Sequence, residues 1–194
     1  MSTAAELETE AESPTLDEPA EHYEVVNGQV LEEPPLGAYE GRLASRLVRS
    51  MILFDPSGAL GEVVEEILFI LEQDPRLRRR PDVAFVSQER WPRSRPVDRE
   101  AAWDVVPDLA VEITSPTDLI DDLIDKVEEY FRAGVRLVWV IFPKHRKIYA
   151  YQSPVNVRVA SIDDEVDGGD VLPGFRLPLT KLFETTNDGP TPVA

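Results

Sequence analysis

The first part of the chain combines a short turn signal with a helical repeat of apolar residues. An Asn-Gly pair at residues 27–28 separates two short apolar runs, which predicts a β-hairpin because both turn residues tolerate positive φ. Pro34 and Pro35 end this hairpin. Apolar residues then recur at three- and four-residue spacing at Leu43, Leu47, Met51 and Phe54. This spacing predicts a helix of about 15 residues that stops at Asp55.

Apolar runs in the middle of the chain predict the strands of a central sheet. Residues 61–71 and 82–86 are rich in β-branched and aromatic side chains, so we expect two adjacent strands there, and the polar residues 87–104 form a loop. The alternating apolar residues at 108–114 predict a third, central strand. Its alternation places Leu109, Val111 and Ile113 on one face and Asp108, Ala110, Glu112 and Thr114 on the other.

A helix and a buried strand follow the central strand. Ser115-Pro116-Thr117-Asp118 is typical of a helix start with Ser115 as the N-cap, and Gly134 suits the helix end. The expected buried stripe of this helix is Leu119, Leu123, Val127 and Phe131. The apolar run 135–142 then predicts a strand buried on both faces, with a turn into another strand at 148–151. A strand, a helix and a strand predict a βαβ crossover, and hence an α/β fold class.

The two chain termini differ in composition from the part between them. Residues 1–20 are rich in Glu, Ala, Ser, Thr and Pro, which predicts a disordered acidic tail because little apolar surface can be buried. Residues 185–194 are expected to form a frayed C-terminal tail. We therefore expect one domain over residues 21–184, closed by a strand at 155–160, an acidic loop at 163–170 and the segment 175–183.

Residue usage excludes several classes of site. The chain has no cysteine, so disulfides and Cys-based zinc sites are excluded. It has two histidines, His22 and His145, which are far apart in the sequence and give little support for a Ser-His triad. The longest apolar run, residues 137–142, is far shorter than the roughly 20 residues of a membrane-spanning helix. No secretory signal is recognisable. The expected location is the cytoplasm, without a membrane partner.

The distribution of charge changes what the net charge implies. A formal net charge of −17 argues against a nucleic-acid partner, because phosphate binding depends on Lys and Arg. Residues 1–24, however, carry eight acidic residues and no Lys or Arg, whereas residues 76–99 carry eight arginines against three acidic residues. The second segment is therefore locally basic.

This arginine-rich segment has two interpretations. It is either a solvated loop paired with the many acidic residues of the chain, or a rim that contacts phosphate groups, with Trp91 available to stack on an unpaired base. The second interpretation predicts nucleic-acid contacts from five arginines, Arg78, Arg79, Arg80, Arg93 and Arg95.

Three residues are candidates for chemistry. Asp82 begins one predicted strand and Glu112 lies in the next, so their carboxylates can meet on one face of the sheet as a magnesium site. Alternatively, Asp82 is a turn residue after Pro81, and Glu112 is a polar side chain at the sheet edge. Lys126 lies at the border of the apolar stripe of the helix. It either points into the carboxylate site to orient water and offset phosphate charge, or pairs with Asp122.

Three segments carry a family resemblance. They are Arg80-Pro81-Asp82-Val83-Ala84-Phe85-Val86-Ser87, Pro107-Asp108-Leu109-Ala110-Val111-Glu112-Ile113-Thr114-Ser115-Pro116-Thr117, and the helix from Asp122 through Lys126 to Tyr130 and Gly134. Together they resemble the core of the Uma-type restriction endonucleases, a branch of the PD-(D/E)XK nuclease superfamily. The opening hairpin also resembles that family, and the likeness extends over residues 23–183.

The resemblance implies a restriction-endonuclease-like core with a mixed central β-sheet flanked by helices and an N-terminal β-hairpin. It implies Asp82 and Glu112 as ligands of Mg²⁺ or Mn²⁺, Lys126 as the catalytic lysine, and nucleic acid, DNA foremost, as the partner. Thr114 stands where the wider superfamily has its lysine, so that role passes to Lys126. No role is carried over to Glu40.

Two functions follow from these observations. The first is a metal-dependent endonuclease that hydrolyses phosphodiester bonds, and the second is a non-catalytic module with the nuclease fold that binds protein or nucleic acid. They differ in whether Asp82, Glu112 and Lys126 converge. A homodimer is a further assembly to consider.

Overall fold

The computed structural model describes residues 22–73, 76–116 and 118–184 of the 194-residue chain. The predicted tails at 1–20 and 185–194 lie outside the described residues. The strands are β1 (Tyr23–Val26), β2 (Gln29–Glu32), β3 (Gly61–Glu65), β4 (Phe69–Glu72), β5 (Leu77–Arg79), β6 (Val83–Ser87), β7 (Leu109–Ile113), β8 (Leu137–Phe142), β9 (Lys147–Ser153), β10 (Asn156–Ala160), β11 (Glu165–Gly168) and β12 (Leu172–Pro178). The helices are α1 (Ala38–Phe54), α2 (Ile120–Ala133) and α3 (Leu179–Phe183), and Pro143–His145 form a 3-10 turn.

A six-stranded mixed sheet lies at the centre of the described fold, in the order β10-β9-β8-β7-β6-β3. Strands β7 and β8 pair in parallel, and the other pairs of this sheet are antiparallel. A second sheet has the order β2-β1-β5-β4, and β11 and β12 form a separate hairpin. The predicted α/β class, with a mixed central sheet flanked by helices and an N-terminal hairpin, is confirmed.

The two faces of the central sheet pack against different elements. On one face, Val83, Val111 and Trp139 pack with α1, α3 and the β11–β12 hairpin. On the other face, Ala84 and Ala110 pack with α2 and the second sheet. The alternation predicted for β7 therefore holds, and Glu112 lies on the α2 face together with Ala110.

The opening hairpin forms for the reason that its turn predicts. Asn27 and Gly28 have φ of 51° and 78°, and Val26 pairs with Gln29. By contrast, residues 61–71 do not form one strand. Glu66 adopts φ of 50° and its carbonyl accepts a 2.6 Å hydrogen bond from Arg80 Nη1, so the chain turns between β3 and β4, which belong to different sheets.

The βαβ crossover is confirmed, but its helix begins later than the sequence predicts. Asp118 accepts hydrogen bonds from the Ser115 N–H, at 2.8 Å, and from the Ser115 hydroxyl. This local turn occupies the polar groups of the expected cap, so α2 starts at Ile120. Gly134 ends it with φ of 101°.

The buried stripe of α2 agrees with the predicted one within the helix and differs only at its start. Val127 is buried, and Leu123 and Phe131 are partly buried and pack against the same core. Leu119 precedes the helix as its N-cap and is 65% exposed, whereas Tyr130 joins the buried side of the helix. No helix among the described residues is long and apolar enough to cross a membrane.

Candidate active site

Asp82 and Glu112 lie on the same face of the central sheet, at adjacent ends of neighbouring strands. Strands β6 and β7 are antiparallel with Val83 opposite Val111, and continuing this register by one residue places Asp82 opposite Glu112. The Oδ2 atom of Asp82 accepts a 2.5 Å hydrogen bond from the backbone N–H of Ile113. This bond ties the carboxylate to the end of β7, so both carboxylates lie where β6 begins and β7 ends.

The carboxylate of Glu112 is held by two residues of α2. The Tyr130 hydroxyl donates a 2.5 Å hydrogen bond to Glu112 Oε1, and Lys126 Nζ lies 3.6 Å from Glu112 Oε2. Glu112 is 7% exposed and Tyr130 is fully buried. Because Lys126 and Tyr130 are one helical turn apart, a single face of α2 fixes both oxygens of Glu112.

The ammonium group of Lys126 joins three carboxylates from different elements. Its Nζ atom lies 2.9 Å from Glu33 Oε1 and 3.3 Å from Glu24 Oε2, in addition to the contact with Glu112. Glu24 belongs to β1 and Glu33 follows β2. The lysine therefore ties the N-terminal hairpin to the central sheet, and its position at the border of the helix stripe reflects this role.

Glu24 is fully buried and has a second cationic partner. Its Oε2 atom lies 2.5 Å from Arg79 Nη1, and its Oε1 atom accepts a 2.9 Å hydrogen bond from the Arg80 N–H. Arg79 also donates through Nε to Glu129 Oε2 at 2.7 Å. Two cations and a backbone donor thus compensate the buried charge of Glu24, as a buried carboxylate requires.

The electrostatic balance differs from one carboxylate to the next. Burial raises the pKa of Asp82 to about 8, and the nearby charge of Glu112 adds to this effect. Burial likewise raises the pKa of Glu112, against the lowering effect of Lys126. Burial also acts to raise the pKa of Glu24, but Lys126 and Arg79 together hold it below its ordinary value. The protein therefore compensates the negative charge of Glu24 but only part of the negative charge of Asp82 and Glu112.

The remaining two members of the network respond to the same charges. Burial raises the pKa of Glu33 to about 7, although Lys126 opposes the shift. Burial acts to lower the pKa of Lys126, but Glu112, Glu24 and Glu33 outweigh it and raise that pKa. Lys126 is consequently a firmly charged ammonium group at neutral pH.

Asp82, Glu112 and Lys126 line one cleft of about 410 Å³. Its other walls include Glu33 and Asp122, and Glu40 from the first turn of α1 also contributes. Among the described residues, no three or more His, Cys, Asp or Glu side chains are grouped as a metal-binding set.

The five arginines predicted to contact nucleic acid do not form one surface. The Arg79 side chain is buried between Glu24 and Glu129, so it is not available to phosphate, and the expectation for this residue must be corrected. Arg80 donates to the Glu66 carbonyl and Arg93 to the Ser57 carbonyl. Arg78 and Arg95 line a separate cleft of about 280 Å³ beside the 97–104 loop. The cluster in the sequence is dispersed in the fold.

Trp91 also lies elsewhere than a stacking role requires. It is 7% exposed, it packs edge-on against Trp103, and its Nε1 donates to the Arg95 carbonyl at 3.0 Å. The Arg95 guanidinium covers its ring at 3.6 Å from the ring centroid. Trp91 is therefore a core residue that anchors the loop, and its ring is not presented to a base.

Sequence reasoning did not single out Tyr130, Glu24 or Glu33 as members of this site. A signal for Tyr130 exists, because it follows Lys126 by four residues on a helix and so lies on the same face. Glu24 and Glu33 flank the predicted hairpin, and no pattern within the hairpin indicates that it folds over α2. Their contribution becomes visible only from the packing of the second sheet against the first.

The chain matches a known family over most of its length. Residues 7–180 match the model of Uma2, a family described as putative restriction endonuclease. No curated protein matches the sequence.

Comparison with solved structures gives a similar fold at low sequence identity. A crystal structure of a putative nuclease belonging to DUF820 from Anabaena variabilis is 16% identical, with a TM-score of 0.73. The match covers 86% of this chain and 92% of that protein. At this identity the likeness is one of fold.

Proposed function

Because the chain belongs to the Uma2 family of putative restriction endonucleases, we propose that it is a metal-dependent endonuclease that hydrolyses phosphodiester bonds in nucleic acid. DNA is the first substrate to test. The observation that carries the proposal is the convergence of Asp82, Glu112 and Lys126 on one cleft. Asp82 directly precedes β6, Glu112 lies in the neighbouring strand β7, and Lys126 lies on α2. The packing of these core elements therefore determines where the three side chains lie.

The donor set fits Mg²⁺ or Mn²⁺. Asp82 and Glu112 are neighbouring carboxylates whose pKa values are raised by burial, and a divalent cation would relieve the cost of keeping both ionised. Mg²⁺ is commonly bound by one or two carboxylates, with water and phosphate oxygens completing its coordination. When bound, the ion would polarise the phosphate and lower the pKa of a coordinated water.

Lys126 is proposed to act on the phosphate and on the attacking water. Its ammonium group stays charged because Glu112, Glu24 and Glu33 raise its pKa, and it lies in the same cleft as the two carboxylates. A fixed positive charge at this position stabilises the negative charge that develops on phosphate oxygens in the transition state. Lys126 therefore serves as an electrostatic group and a hydrogen-bond donor, and its raised pKa argues against a role as general base.

Tyr130 and Glu24 are proposed to position these groups. The Tyr130 hydroxyl fixes one oxygen of Glu112, and Glu24 fixes the ammonium group of Lys126 through a 3.3 Å contact. Partners of this kind orient metal ligands and catalytic charges. Neither residue needs to touch the substrate for its loss to lower activity.

The proposal is tested by cleavage of labelled nucleic acids by the full-length protein with Mg²⁺ or Mn²⁺, with EDTA as a control. Glu112→Gln is the informative variant, because it keeps the size of the side chain while removing its charge. Glu128→Gln is the matched control, since Glu128 is an exposed residue of α2. We expect cleavage that EDTA stops, that Glu112→Gln abolishes and that Glu128→Gln retains. A folded preparation that cleaves no DNA or RNA would favour the non-catalytic binding module.

A further inference from the structure

A second, larger cleft of about 840 Å³ opens directly beside the carboxylate cleft. Its floor is formed by the half-buried aromatic side chains of Phe142, Tyr149 and Tyr151, and its wall by exposed apolar residues at the start of α2. Leu119, Ile120 and Ile124 of that wall are 65%, 61% and 49% exposed. We call this region the aromatic cleft. Apolar surface of this extent, in a chain so rich in charge, indicates a binding region.

The aromatic cleft continues the proposed active site along the same face of the sheet. Glu112 pairs with Val140 across β7 and β8, and Val140 pairs with Tyr149 across β8 and β9. Tyr149 is thus two strands from Glu112 in one cross-strand row, a distance of roughly 10 Å at about 4.8 Å per strand. Leu119, Leu123 and Asp118 line both clefts. A ligand in one cleft can therefore extend into the other.

The far end of the aromatic cleft carries a basic turn. The turn between β8 and β9 reads Lys144-His145-Arg146-Lys147, and three of these residues line the cleft. Residues 130–162 around this turn contain six Lys or Arg and no acidic residue, in a chain with 37 Asp plus Glu. Within the part of the chain that the structure describes, none of the four turn residues forms an ion pair.

This turn contrasts with the arginine-rich segment at 76–99, whose cations are largely engaged within the protein. Arg79 pairs with two buried carboxylates, and Arg90 pairs with Asp108 at 2.9 Å. By comparison, Lys144, Arg146 and Lys147 are without an ion-pair partner among the described residues, so their charges remain available at the edge of an aromatic surface. Acidic residues, Glu40 and Asp118, occur at the opposite end, toward the carboxylates.

We propose that the aromatic cleft holds an unpaired stretch of the polynucleotide that enters the carboxylate cleft, with bases on Phe142, Tyr149 and Tyr151 and phosphates at the Lys144–Lys147 turn. This inference rests on the proposed nuclease function and specifies its substrate class. Aromatic side chains stack on bases of any sequence, and clustered cations follow the backbone. The separation of roughly 10 Å corresponds to about three nucleotides at the stacked rise of about 3.4 Å per nucleotide of one strand.

A binding experiment that does not depend on cleavage tests this inference. The full-length protein, in EDTA, is titrated into fluorescein-labelled oligothymidylate, its RNA counterpart, or a duplex of equal length, and fluorescence anisotropy is followed over a range of salt concentrations. Tyr149→Leu removes a stacking ring but keeps apolar bulk. Lys144→Gln with Lys147→Gln removes two cations. The charge-matched control is Arg158→Gln with Lys181→Gln, whose positions lie outside the cleft.

We expect the single strands to bind more tightly than the duplex. Tyr149→Leu should weaken single-strand binding about fivefold or more without changing its salt dependence. The Lys144 and Lys147 double variant should reduce the slope of log affinity against log salt by about 1.4, at about 0.7 per phosphate contact. The control pair should bind like the unchanged protein. RNA bound as tightly as DNA would also support the inference, because bases and phosphates, which both polymers share, would then be the recognised groups.

Three results of the binding experiment would overturn the inference: a preference for duplex, single-strand binding equally weakened by the control pair, or no binding to any polynucleotide. Light scattering that shows a dimer dissociated by Ile120→Gln, with unchanged nucleic-acid binding, would instead assign the cleft to a second copy of the chain. The two proposals can fail separately. Selective single-strand binding without any metal-dependent cleavage would refute the nuclease function alone, whereas cleavage unaffected by the cleft variants would refute this inference alone.

Discussion

The hydroxyl group of Tyr130 donates a 2.5 Å hydrogen bond to Glu112 Oε1, and both residues are buried. This bond joins the last turn of α2 to the end of β7, where the proposed metal ligands lie. It also leaves the second oxygen of Glu112 directed toward Lys126. The orientation of the candidate ligand thus depends on a residue that need not touch the substrate.

Tyr130→Phe should lower the activity and the metal affinity about 10- to 100-fold, the range typical of groups that orient metal ligands. The ring remains in the core, but the buried Glu112 carboxylate loses a hydrogen-bond donor, so the free energy of unfolding should also fall by about 1 to 3 kcal/mol. Cleavage rates measured over a range of Mg²⁺ concentrations would show a raised half-saturation concentration. Tyr23→Phe, in the hairpin, is the control for loss of a hydroxyl. An unchanged metal dependence in Tyr130→Phe would remove Tyr130 from the proposed positioning role.

Lys126→Ala should be strongly destabilised as well as inactive. The substitution leaves Glu24, Glu33 and Glu112 without their shared cation, and removal of one partner of a buried ion pair costs about 3 to 5 kcal/mol. Lys126→Arg keeps the charge and should recover much of the stability, but not the activity, because a planar guanidinium does not replace a compact ammonium group.

Urea denaturation of these two variants, with Lys181→Ala as the control for an exposed lysine, measures the difference in stability. Lys126→Ala with the stability of the unchanged protein would contradict the charge network that the structure describes. Full activity in Lys126→Arg would contradict a role for the ammonium geometry.

Asp82→Asn should stabilise the metal-free protein at about pH 8 while abolishing cleavage. Burial raises the pKa of Asp82 from 3.8 to about 8, so the folded state binds this proton more tightly than the unfolded state. Stability from this group is therefore greatest at low pH and falls as the pH rises between those two values. Removing the charge should recover about 1 to 3 kcal/mol at the upper end of this range.

Thermal unfolding in EDTA at a series of pH values tests this prediction. The difference in stability between Asp82→Asn and the unchanged protein should grow from pH 4 toward pH 8 and then level off. Mg²⁺ should reduce the difference by stabilising the unchanged protein. A difference that is independent of pH would show that Asp82 is not the group that titrates.

Arg79→Lys should destabilise the protein, and it should leave the affinity of the folded protein for nucleic acid unchanged. Arg79 binds Glu129 through two nitrogens and Glu24 through a third contact, and a lysine cannot reproduce this geometry. We expect a loss of about 2 kcal/mol or more, typical of a damaged buried charge network. Arg93 is exposed, so Arg93→Lys is the matched control. Its free energy of unfolding, measured by urea denaturation, should equal that of the unchanged protein. Equal stability of the two variants would contradict the buried role of Arg79.

The sequence predicts the strands and the face of each carboxylate because local rules determine them. The Asn27-Gly28 turn, the alternation along β7 and the glycine at the end of α2 depend on few residues, and the structure agrees with all three. Asp82 and Glu112 share a face for the same reason. Successive side chains of a strand point to opposite faces of the sheet, so the face of a side chain is determined by its position along the strand and not by the rest of the fold.

Long-range packing determines the parts that the sequence does not predict. Asp108 and Glu112 lie on the same predicted face of one strand, yet Asp108 pairs with Arg90 and Arg136 whereas Glu112 faces the cleft. The arginine-rich segment is basic in sequence but is dispersed by β5 and the 87–104 loop. Helix α2 begins at Ile120 because Asp118 accepts a hydrogen bond from Ser115 in a local turn. The same residue types can cap a helix or form such a turn, so the sequence alone does not tell which of the two forms.

The binding of Mn²⁺ to the full-length protein depends directly on the proposed metal ligands, Asp82 and Glu112. Electron paramagnetic resonance reports free Mn²⁺ during a titration, so it measures binding without requiring a substrate. We expect saturable Mn²⁺ binding for which Mg²⁺ competes. Glu112→Gln should remove this binding, and Glu128→Gln should retain it. Equal Mn²⁺ binding by Glu112→Gln and the unchanged protein would contradict the assignment of Asp82 and Glu112 as the metal ligands.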